Sequence, residues 1–278
     1  MPRKSGLKLA SWVGTRLGSN KDNPMVKAIR ANQYVIHDQA LSQEALDEYP
    51  KIVFRSAAKC VFDYFHFLQR PEQLQEIVTF DTQGRQTIDR IRSNKPTVVV
   101  CPHLSNFDLM GYALALNNVD VQVLSFPKPT STYQMQNQLR ESLGLNVTPM
   151  SLSTFRQARN RLREGGSILT GLDRPLSGDH IEKYRPKFFG HYANLPVTYI
   201  RMAKEANAPV IIMAATSQPD GTYSLIGSEP IWMEPADDLE TEIINNADRV
   251  LTEAELIIKK YAHQWAMFYP VWPEFLGI

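Results

Sequence analysis

The sequence predicts an α/β fold, with a mixed, mostly parallel sheet flanked by helices and an N-terminal helical segment. Two observations carry this. From residue 84 onward, short β-branched apolar runs alternate with stretches of helical length, the pattern of strands joined by crossover helices. Before residue 84 that alternation is missing, and residues 24–70 read as helix throughout. The organisation expected is therefore an N-terminal helical segment, 1–83, packed on an α/β core, 84–278, the two forming one structural unit. At 278 residues the chain is long enough to bury a substantial core.

At the N-terminus Arg3, Lys4, Lys8, Arg16 and Lys21 precede the first acidic residue, Asp22. Leu9, Trp12, Val13 and Leu17 gather on one helical face. Such a helix can lie among the headgroups of an anionic membrane or dock on the chain's own core, and the sequence leaves both open. Ser42 begins one helix, and Pro50 marks the start of the next, through Phe67. Phe54, Phe62, Tyr64, Phe65 and Phe67 make its surface more aromatic than an ordinary amphipathic stripe, fitting a core element or the wall of an acyl-chain groove.

The remaining elements follow in order. Helices are expected at 84–93, 106–117, 131–143, 152–164, 194–206 and 237–262. Strands are expected at 96–101, 120–125, 145–149, 166–171, 208–216 and 222–227. Gly165-Gly166 is a helix C-terminal signal, and Ala208-Pro209 marks entry into a strand.

Composition excludes several classes. Thirty Lys and Arg against 29 Asp and Glu give a net charge of +1, without the excess positive charge of a nucleic-acid binder. Two cysteines, Cys60 and Cys101, do not make a disulfide framework and fit a reducing compartment. No apolar run reaches the roughly 18–20 residues that span a bilayer, and the start lacks the apolar stretch of a signal peptide.

The richest segment is His103-Leu-Ser-Asn-Phe-Asp108, between the apolar strand 96–101 and an apolar helix. Ser105 or Asn106 can cap that helix. His103 then lies on the strand-to-helix loop and Asp108 in the first helical turn. From there the carboxylate can fold back on the imidazole, fix its tautomer and stabilise the imidazolium. That pair serves acyl transfer to a hydroxyl.

A second loop, Gly171 to Asp179, also follows an apolar strand, and ligands of open α/β sheets bind outside strand C-termini. Asp173 and Arg174 can orient substrate there or form an internal pair. Lys128, Asn137 and Arg140 supply the polar and cationic groups that a phosphate- or sugar-bearing lipid needs. Phe188-Phe189-Gly190 reads as the wall of an apolar cavity. Asp179, His180 and His191 match no metal-ligand spacing, and no metal enters the reading. There is no Gly-x-Ser-x-Gly elbow, Walker A loop or Gly-x-Gly-x-x-Gly fingerprint. Cys101 closes a buried run and reads as a small core residue before a nucleophile.

Taken in order, HLSNFD, the helix QMQNQLR (134–140), the strand and loop SILTGLDRP, and KFFGHYANLPVTYIRMAKEANAPVIIM resemble the lysophospholipid acyltransferase superfamily. Within it they resemble the bacterial lipid A biosynthesis acyltransferase family, over about residues 30–270. The resemblance implies a glycerol-phosphate-acyltransferase-like fold and transfer of a fatty acyl group to a hydroxyl of a membrane glycolipid or lysophospholipid. It implies acyl-CoA or acyl carrier protein as co-substrate and no other cofactor, because the thioester is already activated. It casts His103 as general base, Asp108 as its orienting carboxylate, Arg140 at a phosphate or oxyanion, and Asp173 with Arg174 at the acceptor. It also implies a peripheral protein on the cytoplasmic face of the plasma membrane, against an anionic surface. In place of the family's basic C-terminal segment stands Gln264–Pro273, with no cation. Acceptors other than lipid A, such as phosphatidylinositol mannosides, fit that departure. Two further readings of the same residues are a thioester or lysolipid hydrolase and a non-catalytic lipid-binding protein.

Overall fold

The computed structural model describes residues 1–127, 131–176 and 183–278. Four helices open the chain: α1 (Arg3–Gly18), α2 (Pro24–Ile36), α3 (Gln43–Phe67) and α4 (Pro71–Ile77). There follow β1 (Val78–Phe80), α5 (Thr82–Arg92), β2 (Thr97–Cys101), α6 (Phe107–Leu116), β3 (Val121–Ser125), α7 (Ser131–Ser142), β4 (Asn146–Pro149), α8 (Leu152–Arg163) and β5 (Ser167–Gly171). A short hairpin, β6 (Lys187–Phe188) with β7 (His191–Tyr192), precedes α9 (Thr198–Glu205), β8 (Val210–Ser217), β9 (Tyr223–Gly227) and α10 (Leu239–Lys260).

Seven strands form the main sheet in the order β1-β9-β8-β2-β5-β3-β4. From β8 to β4 all neighbours are parallel, whereas β9 runs against β8 and carries β1 parallel to itself. The expected mixed, mostly parallel sheet is therefore present. Alternation along the strands feeds two cores. Val98, Val100, Ile212 and Ala214 join the core beneath α8, α9 and α10, while Val99, Cys101, Ile211 and Met213 join the core that includes Tyr64, Leu109 and Met110. Continuous apolar runs are what a sheet covered on both faces requires.

Several elements depart from the sequence reading. Pro50 lies inside a single helix, α3, rather than at the start of a new one. The loss of one backbone hydrogen bond there is offset by packing against α1, where Gly14 and Gly18 approach the backbone of Phe54, Arg55, Pro50 and Lys51 so closely that a Cβ would meet main-chain atoms at 2.5–2.6 Å. α4, β1 and the β6–β7 hairpin were not foreseen, being too short for periodicity to register. Because β1 pairs with β9, the sheet begins before residue 84, inside the segment expected to be helical only. The helix expected to start at 194 begins at Thr198, since Pro196 disfavours helical geometry at Leu195.

The N-terminal helices are tied to the sheet by charge as well as packing. Asp63 of α3, fully buried, accepts two hydrogen bonds from Arg3, at 2.8 and 2.7 Å, and one from the Tyr223 hydroxyl at 2.8 Å. The other face of α1 leaves Leu9, Trp12, Val13 and Leu17 exposed. Both roles foreseen for α1 thus have a face available: glycines toward α3, apolar and basic side chains outward.

Candidate active site

Parallel pairing places the site. Cys101 of β2 is the register partner of Gly171 of β5, so His103 and Asp173, each two residues further on, emerge side by side at the strand C-termini. The His103 Nδ1 lies 2.6 Å from Asp173 Oδ1, and the His103 backbone N–H donates to Oδ2 at 2.8 Å. Trp265 completes the arrangement by donating its indole N–H to Oδ2 at 2.7 Å. Asp173 is wholly buried and the His103 side chain is 26% exposed. An ionised carboxylate only accepts, so the Nδ1 of a neutral imidazole carries the proton and Nε2 keeps the lone pair.

The loop that carries His103 is held from three sides. Asn106 caps α6 by accepting from Leu109 N–H at 3.2 Å, and its amide donates to the Cys60 carbonyl of α3 at 2.9 Å. Ser105, in the left-handed region at φ 49°, donates its N–H to Gln264 O at 2.9 Å. Ala266 N–H returns a bond to His103 O at 2.8 Å. Phe107 packs edge-on against the imidazole, with ring centroids 5.2 Å apart.

Asp108 does not supply the imidazole's Nδ1 partner, as the sequence led us to expect. It pairs with Arg140 of α7, whose Nε and Nη2 reach its Oδ1 at 2.8 and 2.7 Å. Asn137, one helical turn earlier, accepts from Arg140 at 2.9 Å and donates to the Ser125 hydroxyl at 3.1 Å. Its amide is thus committed to holding Arg140. Burial works against the Arg140 charge, but Asp108 and then Tyr133 outweigh it, and its pKa lies above the ordinary arginine value. His103, Asp108 and Arg140 share one cavity of about 100 Å³.

The other expected site residues are placed as follows. The Arg174 guanidinium carbon lies 4.3 Å from the ring centroids of both Phe126 and Tyr269, and the side chain donates to the Tyr269 hydroxyl at 3.0 Å. Phe188 is fully buried and packs against Trp265 and Trp272, so it backs the indole that holds Asp173 and does not line the His103 cavity. Phe189 and Gly190 form the hairpin turn, with φ of 49° and 75°, and Phe189 also packs on Trp272. Lys128, Asp179 and His180 lie outside the described residues. Cys101 lines the cavity, but burial raises its thiol pKa far above the usual range.

Trp265 was not foreseen as a site residue. No local motif marks it; only the bridge between Leu104 and Trp265 brings it to the site.

Residues 51–274 match the sequence profile of the bacterial lipid A biosynthesis acyltransferase family. The chain belongs to that family. Within this lipid A acyltransferase family member, a segment of 118 residues is 30% identical to "Phosphatidylinositol mannoside acyltransferase" of Mycobacterium tuberculosis strains H37Rv and CDC 1551. That segment is 41% of this chain and spans 36% of the length of each relative. Among solved structures, the crystal structure of a 1-acyl-sn-glycerophosphate acyltransferase from Thermotoga maritima superposes with a TM-score of 0.40 at 14% identity, covering 86% of this chain and 96% of that one.

Proposed function

We propose that this chain moves a fatty acyl group from a thioester, acyl-CoA or acyl carrier protein, to a hydroxyl of a membrane glycolipid or lysophospholipid. The observation that carries the reading is His103, with Nδ1 held by a buried carboxylate and Nε2 left as the basic nitrogen beside a cavity that also holds Arg140. In the reaction, Nε2 takes the proton of the acceptor hydroxyl as its oxygen attacks the thioester carbonyl. The tetrahedral intermediate collapses with cleavage of the C–S bond, and the leaving thiolate takes the proton back from the imidazolium. Asp173 steadies the imidazolium by charge and fixes its orientation; a base so placed contributes on the order of 10²–10⁴-fold. Arg140, stiffened by Asp108 and Asn137, presents a guanidinium to a phosphate or to the developing oxyanion.

The acceptor lies in a membrane, and the outward face of α1 supports peripheral attachment there. Trp12, 67% exposed, stands among Leu9, Val13 and Leu17, with Lys4, Lys8 and Arg16 exposed beside them. An apolar strip bordered by cations suits an anionic bilayer surface on the cytoplasmic side. No helix among the described residues is long and apolar enough to cross a membrane.

The test is incubation with labelled acyl-CoA or acylated carrier protein and a total lipid extract. We expect thiol release that depends on added lipid and a labelled lipid product, both lost in His103→Ala. Release without acceptor would mean that water is the nucleophile and the protein a hydrolase; no release with either donor would overturn the catalytic reading. For the membrane face, Trp12→Ser with Leu9→Ser should weaken sedimentation with phosphatidylglycerol vesicles, and unchanged binding would remove α1 from the account.

A further inference from the structure

The loop that carries His103 is enclosed by a ring of interactions that runs through both ends of the fold. On one side Ser105 donates its N–H to Gln264 O, and the Gln264 side chain pairs with Ser217, accepting from its N–H at 2.8 Å and donating to its carbonyl at 3.0 Å. Ser217 ends β8, and the turn beyond it leads to Gly221 and to Tyr223, the first residue of β9. There Arg3 of α1 donates to Gly221 O at 2.7 Å and to Asp63 of α3, which also accepts from the Tyr223 hydroxyl. Three residues before Asp63, the Cys60 carbonyl accepts from the Asn106 amide, and the Cys60 thiol lies 3.7 Å from the Ser105 hydroxyl. The ring has then returned to the loop. The Asn106 side chain also stands against the Tyr223 hydroxyl.

Two features give this ring a task beyond joining helices. α1 already packs closely on α3 through Gly14 and Gly18, yet the tie at Asp63 adds a buried carboxylate, whose desolvation apolar packing would avoid. The second feature is Ser105. Its φ of 49° is a left-handed conformation that a residue with a Cβ keeps only where its surroundings impose it. Gln264 imposes it from one side and Cys60 from the other. Arg3 bridges α3 and the β8–β9 turn, so it fixes the distance between the elements on which those two supports stand.

We infer that Arg3 and Asp63 are positioning residues for His103, which makes α1 part of the support of the active site as well as a face toward the membrane. The inference rests on the acyl-transfer reading above. Arg3, Asp63 and Tyr223 do not line the His103 cavity. They act through Asn106 and Ser105, three and two residues beyond His103. With the ring opened, the imidazole keeps Asp173 but the loop beneath it shifts, and a misplacement of about 1 Å costs on the order of 10²-fold in rate. The loss falls on kcat, because the groups beside the substrate are unchanged.

The experiment measures kcat and KM for transfer from labelled acyl-CoA or acylated carrier protein to a total lipid extract in excess neutral detergent, where α1 has no anionic surface to bind. Arg3→Met should lower kcat by about 10–100-fold with KM close to the parent value, and Arg3→Lys should recover part of the loss. Tyr223→Phe opens the ring at a second point and should also lower kcat. Combined with Arg3→Met it should lose less than the product of the two separate losses, because both open the same ring. Sedimentation with phosphatidylglycerol vesicles should match the parent in every variant, since Leu9 and Trp12 are intact. Circular dichroism checks folding. If the unpaired Asp63 keeps Arg3→Met from folding, Arg3→Met with Asp63→Asn removes the buried charge and still lacks the tie. A folded variant with the parent kcat, a loss confined to KM, or a loss that tracks weaker vesicle binding overturns the inference and leaves acyl transfer standing. A parent chain that transfers from neither donor overturns the acyl-transfer reading itself.

Discussion

The Nδ1 of His103 lies 2.6 Å from Oδ1 of Asp173, although 70 residues separate the two in sequence. They meet because Cys101 and Gly171 are paired across neighbouring parallel strands. Three N–H groups converge on that one buried carboxylate: the imidazole Nδ1–H, the His103 backbone and the Trp265 indole. The nearer carboxylate in sequence, Asp108, is engaged instead with Arg140. The site therefore holds two separate pairings, the His103–Asp173 hydrogen bond and the Arg140–Asp108 ion pair; in the proposed reaction the first shapes a base and the second presents a cation.

Arg140 should act on binding. Its guanidinium holds Asp108 and Asn137 together through separate nitrogens, a geometry that a lysine cannot reproduce. Arg140→Ala is expected to lower kcat/KM by about 10–150-fold, the worth of a hydrogen bond to a charged group, mainly through KM for a phosphate-bearing substrate. Arg140→Lys should recover only part of this. Steady-state kinetics with the acceptor varied will check it; a loss confined to kcat would place Arg140 at the reacting atoms instead.

Neither cysteine should behave as a nucleophile. Burial pushes the Cys60 thiol up to about 12, and the Cys101 thiol is raised as well, by burial and then by Asp173. At neutral pH both stay protonated and enclosed, so the folded protein should resist iodoacetamide while the unfolded chain reacts at two sites. Mass spectrometry of the alkylated protein reads this directly. Rapid labelling of Cys101 with loss of activity would contradict it.

Glu255 of α10 should impose a pH-dependent cost. Burial raises its pKa above the ordinary glutamate value, only partly offset by the Phe189 N–H that it accepts. Between the unfolded and the raised native pKa, the folded protein holds more protons than the unfolded chain, so this residue lowers stability as pH rises. Glu255→Gln keeps an acceptor for Phe189 without the charge. Urea unfolding should give equal stability for parent and variant below about pH 4 and a more stable variant at neutral pH. A difference that does not change with pH would refute the assignment.

The sequence made much of the fold legible, and the reason is local. β-branched runs at 97–101 and 210–217 and the helical stretches between them encode their own periods, so element types and the mixed sheet could be read directly. The order of strands could not. β2 lies beside β5 and not beside β3, which follows it in the chain, and that single fact decides whether His103 meets Asp173. Asp108 was the nearer candidate by sequence, and only the placement of α7 shows why it turns to Arg140. A signal did exist: His103 and Asp173 each stand two residues beyond the end of an apolar strand. Phe188 illustrates the opposite case, an aromatic residue in a conspicuous segment whose place is the packing behind Trp265.

The central claim is that Asp173, and not Asp108, makes His103 a base. It is tested most directly by kcat and KM, measured at one pH, for Asp173→Asn against Asp108→Asn, both compared with the parent. Asparagine at 173 turns an N–H donor toward the donors of His103 and Trp265 and cannot hold the Nδ1–H tautomer while serving them all. The account predicts that Asp173→Asn lowers kcat by on the order of 10²–10⁴, while Asp108→Asn acts mainly on KM and leaves kcat close to that of the parent. A kcat that collapses in Asp108→Asn and survives in Asp173→Asn would contradict it.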